Sequence, residues 1–439
     1  MSGSIFSQDY REQPYWWDAA EPAPTPTDLP ARTAVAIVGG GYTGLNAAIT
    51  LRRLGHEVIV LDAERIGWGA SSRSGGMVSG GLRTKVDHLP ALFGAERAAA
   101  MVASFVQAFP YLEQAIAGEG IDCDYVRCGR FIAAWTPQHY ASLDASARQL
   151  AARTGMPVRM VTRAAQRSAL GTDVYHGGMI ADATGSLQPA KLARGFARVA
   201  QAAGAGLVDR ARVTSIRRDG AGFRLSTSRG ELRADAVLVA TNGYSRLPDG
   251  TKALPYLAHR MVPVASHIIA TEELPDGLMD KLLPGRRMVG ETKRVMNYYR
   301  PSPDGKRIVW GGRASFFSGS SRDAAITLHG RMLRVFPELA GVKVSHSWQG
   351  NVSFSFDGLP HIGVHDGVHY AGGCQGNGVA MMSWLGHNAA LKLAGVADER
   401  FAFDLEHFPT RPLYNGNPAW VLPWIGNYYR LRDWMERPG

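Results

Sequence analysis

Apolar residues in this chain fall into short β-branched runs, several of which end in a glycine-rich turn followed by apolar residues at helical spacing. Val35-Ala36-Ile37-Val38 is one such run. Gly39-Gly40-Gly41-Tyr42-Thr43-Gly44 follows it, and Leu45, Ala48, Ile49 and Leu51 then recur at roughly helical intervals. The pattern predicts strand, turn, helix. Gly55 stops the helix, and Glu57 to Leu61 reads as a second strand ending in Asp62. Further on, Ala205 to Ile216 and Phe223 to Thr227 alternate as strands, and Ala236 to Ala240 is a buried-strand run leading into Thr241-Asn242-Gly243. Late in the chain the first pattern repeats. His369-Tyr370-Ala371 predicts a strand, Gly372 to Gly378 a turn, and Val379 to Leu393 a helix turning Val379, Met382, Leu385, Ala389 and Leu393 inward and closed by Gly395.

Composition narrows the picture without deciding it. With 439 residues, 45% of them hydrophobic, the chain can bury a large core and is expected to fold as two intimately joined domains. No run of 18 apolar residues occurs, and the first residues lack a basic region followed by an apolar one, so neither a membrane span nor a signal peptide is expected and the cytoplasm is the expected location. Cys123, Cys128 and Cys374 are too few for a disulfide framework, and their spacing matches no zinc pattern, so no metal site is expected. The formal net charge of +10 comes from scattered basic residues without aromatic interleaving, which argues against a nucleic-acid partner.

The early turn carries the strongest chemical signal. Gly39 permits the tight turn, Gly41 lets backbone N–H groups approach a pyrophosphate, and Gly44 lets the helix lie close to the strand. A helix N-terminus adds a favourable dipole of about 0.3 to 1 kcal/mol toward an anion. Tyr42 and Thr43 complete the turn, and Asp62, followed by Ala63, stands near the spacing expected of a ribose-binding acid. NAD and FAD both fit these residues. The stretch Gly67 to Gly76 is nearly without bulk; its Gly69, Ala70, Ser71, Ser72, Arg73, Gly75 and Gly76, with Met77 beyond, can pass along an extended ligand and bond its oxygens. Thr241 and Asn242 end a strand expected beside the nucleotide. The second turn favours FAD, whose redox ring lies far from its adenine: amides at Gly376, Asn377, Gly378 and Val379 would face the ring's N1/C2 edge.

Six segments carry a resemblance: "PYWWDAA" at Pro14, "GGGYTGLNAA" at Gly39, "GWGASSRSGG" at Gly67, "VLVATNGYS" at Val237, "YYRPSPDGKRIVWGGR" at Tyr298 and "WQGNVSFSFDGLPHIG" at Trp348. Together they resemble the FAD-dependent D-amino-acid oxidase superfamily, and within it the gamma-glutamylputrescine oxidase branch. The resemblance implies an α/β fold, α+β overall, with a doubly wound Rossmann-type FAD-binding domain and an interleaved substrate domain built on a mixed, largely antiparallel sheet. Met261 to Ala270 and Ile308 to Gly312 would be strands of that second layer. The implied division gives residues 1–30 to an N-terminal arm and Pro-rich linker, 31–90, 150–245 and 346–400 to the FAD domain, 91–149 and 246–345 to the substrate domain, and 401–439 to a C-terminal tail. Val213 matches a position that holds adenine through backbone groups.

The resemblance also implies the chemistry: an amine's alpha carbon passes a hydride to flavin N5, the imine is hydrolysed to aldehyde and ammonia, and oxygen or a quinone takes the electrons, oxygen giving hydrogen peroxide. Glycine-oxidase-like members carry an Arg two positions after the Gly of the W-x-G segment, where it clamps the substrate's alpha-carboxylate; here that position is Val352. A buried carboxylate without a partner costs several kcal/mol, which disfavours an alpha-amino acid held in that way. Arg83, Arg130 or Arg300 are alternative clamps, so an amino-acid or N-alkyl amino-acid oxidase or dehydrogenase stays open, as does a flavin-binding or electron-transfer subunit without turnover. No Cys precedes "DGLP", and Ser74 stands where some relatives link a His to flavin, so the FAD is expected to be noncovalent. Expected catalytic and substrate contacts are Asn377, Gly378, Tyr298, Arg300 and Trp348, with Phe354 and Phe356 as an aromatic pair. Strand alternation allows Tyr298 and Arg300, but not Tyr299, to share one face. His361 reads as structural and Lys293 as a solvated loop residue, with a buried cation assisting oxygen activation as the alternative, while Tyr15-Trp16-Trp17 reads as an arm over the substrate domain or a partner-binding surface.

Overall fold

In the computed structural model, which describes residues 4–25, 27–79, 86–155, 157–313, 320–396, 401–419 and 422–436, two sheets carry the fold. The first runs in the order Val213–Asp219, Gly222–Thr227, Gly230–Val239, Arg32–Val38, Val58–Leu61, Gly206–Val208. Val368–Gly372 joins it in parallel beside the end of Gly230–Val239, and His361–His365 pairs antiparallel with Val368–Gly372. Odd and even positions of Val35 to Val38 enter different cores. Val35 and Ile37 pack under helices, while Ala36 and Val38 pack with Val213, Phe223, Leu225 and Leu232. A strand buried on both faces must read as a continuous apolar run, which is what the sequence has here.

Register brings four strand ends to one edge. Val38 pairs with Leu61 and with Val239, and Val239 pairs with Tyr370. Gly39, Thr241 and the late glycine turn therefore open side by side at the carboxyl ends of parallel strands, where α/β sheets hold their ligands. Two helices start from these turns: an early helix, Tyr42–Arg53, and a late helix, Gly378–Leu393.

The second sheet has nine strands, in the order Phe6–Arg11, Val344–Phe354, Val262–Thr271, Ile308–Gly312, Asn297–Pro301, Met288–Glu291, Arg130–Ala133, Gly178–Ala181, Val158–Val161. Only two of its pairings are parallel, Phe6–Arg11 on Val344–Phe354 and Met288–Glu291 on Arg130–Ala133. One face buries Tyr299 and Trp310 against the helix Ser321–Val335. The other meets the first domain through Trp16, Ala190, Ile268, Val309 and Trp348.

The packing departs from the expected segment division. Residues 91–118, expected with the second domain, contain the helix Ala95–Gly118, whose Met101, Phe105, Phe109 and Leu112 join the first core beside the late helix. Conversely, strands at 158–161 and 178–181, expected in the first domain, complete the second sheet, as does Val344–Phe354. The expected tail supplies Phe403 and Leu405 to one core and Phe408 to another. Helical or strand periodicity shows that a face is buried but not against which partner.

Candidate functional site

The early turn is built so that side chains are excluded from it. Gly39 has φ of +111°, and a Cβ there would lie 2.8 Å from the Ala240 carbonyl oxygen; a Cβ at Gly44 would lie 1.9 Å from the Gly39 oxygen. At Gly41 a Cβ would meet Ser71 Oγ at 2.9 Å. The Tyr42 N–H donates to that same Ser71 Oγ at 3.0 Å, so the serine lies at the positive end of the early helix. Tyr42 gives its side chain to the core, where its hydroxyl donates to Pro189 O at 2.9 Å. Its backbone is the part that fits a cofactor, and the same holds for buried Thr43.

Asp62 ends the second strand with one oxygen accepting from Gly40 N–H at 2.7 Å and the other from Glu64 N–H at 2.9 Å. Burial raises its carboxyl to about 6, against the lowering effect of those two bonds. A carboxylate has lone pairs to spare after two bonds, so ribose hydroxyls fit here as well. The Asp62 carbonyl accepts from Ala211 N–H at 2.7 Å, which places Val213, two residues further on, beside the same end of the cradle. Ala63 lies between the two acids at this bend.

Gly69, Ala70, Ser71 and Ser72 carry the chain from this point into a short helix, Ala70–Arg73. The Arg73 guanidinium lies between the rings of Trp17, at 4.6 Å, and Trp68, at 4.0 Å, with Nε donating to Trp68 O at 2.9 Å and Nη1 to Gln349 O at 3.3 Å. Arg73 thus shapes the loop through its Nε and Nη1. Gly75 lies against the Tyr298 ring, and Gly76, with φ of +64°, leaves no room for a Cβ beside Leu187 O. Met77 opens the strand Met77–Ser79, paired with Thr184–Ser186.

The late turn places three residues with left-handed backbone close together, Gly373, Gln375 and Gly376. Gln375 is held there by Nε2 donating to Ser355 Oγ at 2.6 Å, and Asn377 N–H donates to Cys374 O at 2.8 Å. Asn377 caps the late helix, Gly378 and Val379 begin it, and their first-turn amides have no partner within the helix. Asn242, itself at φ +45°, ties the two turns together, because its Oδ1 accepts from Gly373 N–H at 3.0 Å. Thr241 Oγ1 pairs with Ser245 Oγ at 2.8 Å. Cys374 is buried with its thiol against the Ser353 backbone.

The residues expected around the substrate divide. The Tyr298 hydroxyl pairs with Ser266 Oγ at 2.9 Å and its ring covers Gly311, while Tyr299 stacks on Trp310 on the opposite face at 4.1 Å. Arg300 is buried; its Nη2 donates to Leu187 O at 2.8 Å, and burial brings its guanidinium down to about 10. Trp348, only 2% exposed, donates its indole N–H to Arg73 O at 2.7 Å. It holds the loop from the interior. Phe354 lies under Arg313, and Phe356 packs on Tyr414. Lys293 is ion-paired with buried Glu291 at 2.8 Å and lies over the Trp135 ring, so it is no solvated residue. His361 is buried between Asp357, at 2.9 Å, and the Phe408 ring. The Arg130 guanidinium crosses Gly290, and Arg83 lies outside the described residues.

Sequence reasoning did not assign Trp16, Trp17 and Gln188 to the site, although the consecutive indoles were the available signal. Trp16 N–H donates to Ser74 O at 2.8 Å, Trp17 N–H to Ser72 Oγ at 3.1 Å, and Gln188 Nε2 to Trp16 O at 2.7 Å.

Glycines whose missing Cβ atoms leave room for a diphosphate, a ribose acid at the next strand and a late helix end facing the same edge define a two-domain flavin-dependent oxidoreductase, and the residues present fit FAD. The FAD dependent oxidoreductase model, DAO, matches residues 34–391, and the chain belongs to this family. It is 30% identical over 404 residues to gamma-glutamylputrescine oxidoreductase of Escherichia coli (strain K12), covering 91% of this chain and 92% of the relative. It is 32% identical over 427 residues to the probable oxidoreductase OrdL of Rhizobium meliloti (strain 1021), covering 95% and 97%. The glycine oxidase structure from Geobacillus kaustophilus shares the fold with a TM-score of 0.72 at 24% identity, over 87% of this chain and 99% of that one. The cofactor is FAD, and the relatives act on amine or amino-acid donors. Among the described residues no helix is long and apolar enough to cross a membrane.

Proposed function

We propose that the protein oxidises a primary amine of the gamma-glutamylputrescine kind to an aldehyde, releasing ammonia, with oxygen or a quinone as electron acceptor and hydrogen peroxide as the product when oxygen serves. FAD held by these residues would supply the hydride acceptor for the hydrogen on the amine's alpha carbon. The chain's task is placement: an alpha carbon about 3 to 3.5 Å from the acceptor atom and an amine kept neutral. The Asn377 N–H is spent on Cys374 O, and the backbone amides of Gly376, Gly378 and Val379 would stand where negative charge develops. Tyr298 lies over Gly75, with its hydroxyl bonded to Ser266, and would contact the substrate from there. No general base of unusual strength is required, and none is assigned.

Val352 carries the choice of an amine over an alpha-amino acid. It pairs with Val264 and packs against the first domain's core, so an apolar side chain occupies the position where an alpha-carboxylate clamp would stand. A substrate whose carboxylate is remote from the reacting carbon avoids the cost of burying that charge unpaired. The full-length similarity to a gamma-glutamylputrescine oxidoreductase supports the same reading.

Anaerobic mixing of the yellow protein with a panel of amines and amino acids tests it. Polyamine conjugates are expected to bleach the flavin within seconds while glycine, sarcosine and D-amino acids leave it oxidised. Bleaching by amino acids and not by polyamine conjugates would overturn the substrate class, and bleaching by none would favour a subunit without turnover. Peroxide measured on readmission of air distinguishes oxygen from a quinone.

A further inference from the structure

The N-terminal arm is bound at both ends and in the middle. Its strand Phe6–Arg11 adds in parallel to the edge of the second sheet, and the Tyr10 hydroxyl bonds Ser347 Oγ at 2.6 Å. Asp18 then pairs with Arg11 at 3.0 Å and with His346 at 3.1 Å. Beyond it, Thr25 N–H and Asp209 are joined across the first domain at 3.4 Å. Between these ends, Trp16 is buried edge-on to Trp348, with ring centroids 6.0 Å apart, and lies 5.1 Å from the Arg300 guanidinium.

What this middle section holds is the segment that passes the flavin. Trp348 takes the carbonyl of Arg73, Trp16 the carbonyl of Ser74 and Trp17 the hydroxyl of Ser72. Gly76 O accepts from Leu187 N–H at 2.9 Å, and Leu187 O accepts from Arg300. Gln188 closes the ring by holding the Trp16 carbonyl, with its own Oε1 accepting from Lys191 N–H at 2.8 Å. A glycine-rich loop has many conformations available and must lose them to receive a ligand, so contacts that fix it in advance reduce the cost of binding. Core packing alone would place the rings of Trp16 and Trp17, but it does not call for both N–H groups to end on one short loop, at Ser74 and Ser72.

We infer that residues 15–20 form a cofactor strap: Trp16 and Trp17 are positioning residues that preshape the 72–76 loop, and docking of the arm and binding of FAD favour one another. Such linkage is reciprocal, so FAD must protect the arm by the factor with which the docked arm tightens FAD. The inference rests on FAD as the cofactor and is independent of which amine is oxidised.

The full chain, with and without FAD, provides the test. Trp16→Phe keeps an aromatic ring, smaller than the indole, and removes the N–H; it is expected to speed FAD release, followed by recovery of flavin fluorescence, by about three- to tenfold. Hydrogen–deuterium exchange of peptides covering residues 12–22 is expected to be slower in the FAD form than in the apo form by a similar factor. Trp17→Phe, which frees only Ser72, should show a smaller change of the same sign and serves if Trp16→Phe does not fold. A merely structural role would lower the melting temperatures of apo and FAD forms equally and leave release unmoved, which would overturn the strap. Equal arm exchange in both forms would do the same, and a wild-type chain that takes up no FAD would overturn the cofactor reading along with it.

Discussion

Gly386 of the late helix lies directly on Thr43 of the early helix: a Cβ at position 386 would sit 2.1 Å from the Thr43 carbonyl oxygen. The two helices that rise from the two glycine turns therefore cross at backbone contact. Thr50 Oγ1, 2.9 Å from His387 Nδ1, joins the two helices at the crossing, and Tyr111 of the helix Ala95–Gly118 braces it from the side, donating to Asn46 Oδ1 at 3.1 Å and stacking on His387. Gly386→Ala should force the helices apart, costing about 1 to 3 kcal/mol and loosening FAD, because the relative position of the two cradle ends changes. Gly330, inside Ser321–Val335 with nothing within 4 Å of its missing Cβ, gives the opposite expectation: Gly330→Ala stabilises by about 0.5 to 1 kcal/mol. Denaturant melts of both variants, with the flavin absorbance of each, check the pair of signs.

Asp62 should make FAD binding pH-dependent. Its carboxyl is raised to about 6 by burial, whereas an unfolded Asp titrates near 4. Between about pH 4 and 6 the folded apo protein thus holds a proton that the unfolded chain has lost, and this group's contribution to apo stability falls as pH rises through that window, levelling off above 6. If the ionised carboxylate accepts from the ribose, FAD affinity moves the other way. Kd should rise as pH falls through about 6, approaching tenfold per unit. Titrations of apoprotein at pH 5, 6 and 7.5 decide the matter, and a flat profile excludes a ribose contact at Asp62.

Lys293 is a test of strand parity. Glu291 and Tyr299 face the helix-covered side of the second sheet, whereas Tyr298 faces Gly75 on the other. Lys293 joins the Glu291 cluster, in which Tyr175 and Asn297 also bond the carboxylate. Lys293→Met should therefore cost about 1 to 3 kcal/mol by leaving a buried carboxylate without its cation, with kcat and the oxygen dependence unchanged. Unaltered stability with slowed reoxidation would place this lysine at the flavin.

Much of the cradle was legible because its demands are local. A tight turn, a close helix and a left-handed backbone each ask for glycine at a set offset from an apolar run, and Gly39, Gly44 and Gly376 stand at such offsets, although at Gly39 the space is also filled by Ala240 from a distant strand. Long-range partners were not legible in that way. The sequence does not show that Arg73 lies against the rings of Trp17 and Trp68, nor that the Trp348 N–H ends on Arg73 O. The helix Ala95–Gly118 shows the same limit at the level of domains. Its apolar stripe is plain in the sequence, but only the fold shows that the stripe lies beside the late helix and not on the second sheet.

Val352 offers the most direct way to change the substrate. Alternation along Val344–Phe354 puts His346, Trp348, Gly350 and Val352 on one face, and Trp348 of that set touches the cofactor loop through Arg73. Val352 itself is half-buried against the first core, near enough to the late turn that its neighbour Ser353 bonds Cys374. Val352→Arg would put a guanidinium where a short amino acid presents its carboxylate. Under the proposed function, the variant should gain flavin reduction by glycine or sarcosine and lose at least about tenfold in kcat/KM for the amine, whose apolar chain would now meet an unpaired charge. Stopped-flow reduction with both substrate classes measures the exchange, and the ratio of flavin to protein absorbance shows whether the cradle is intact. A fully loaded variant with the wild-type preference would mean that position 352 does not face the substrate, and the argument from the missing clamp would fall with it.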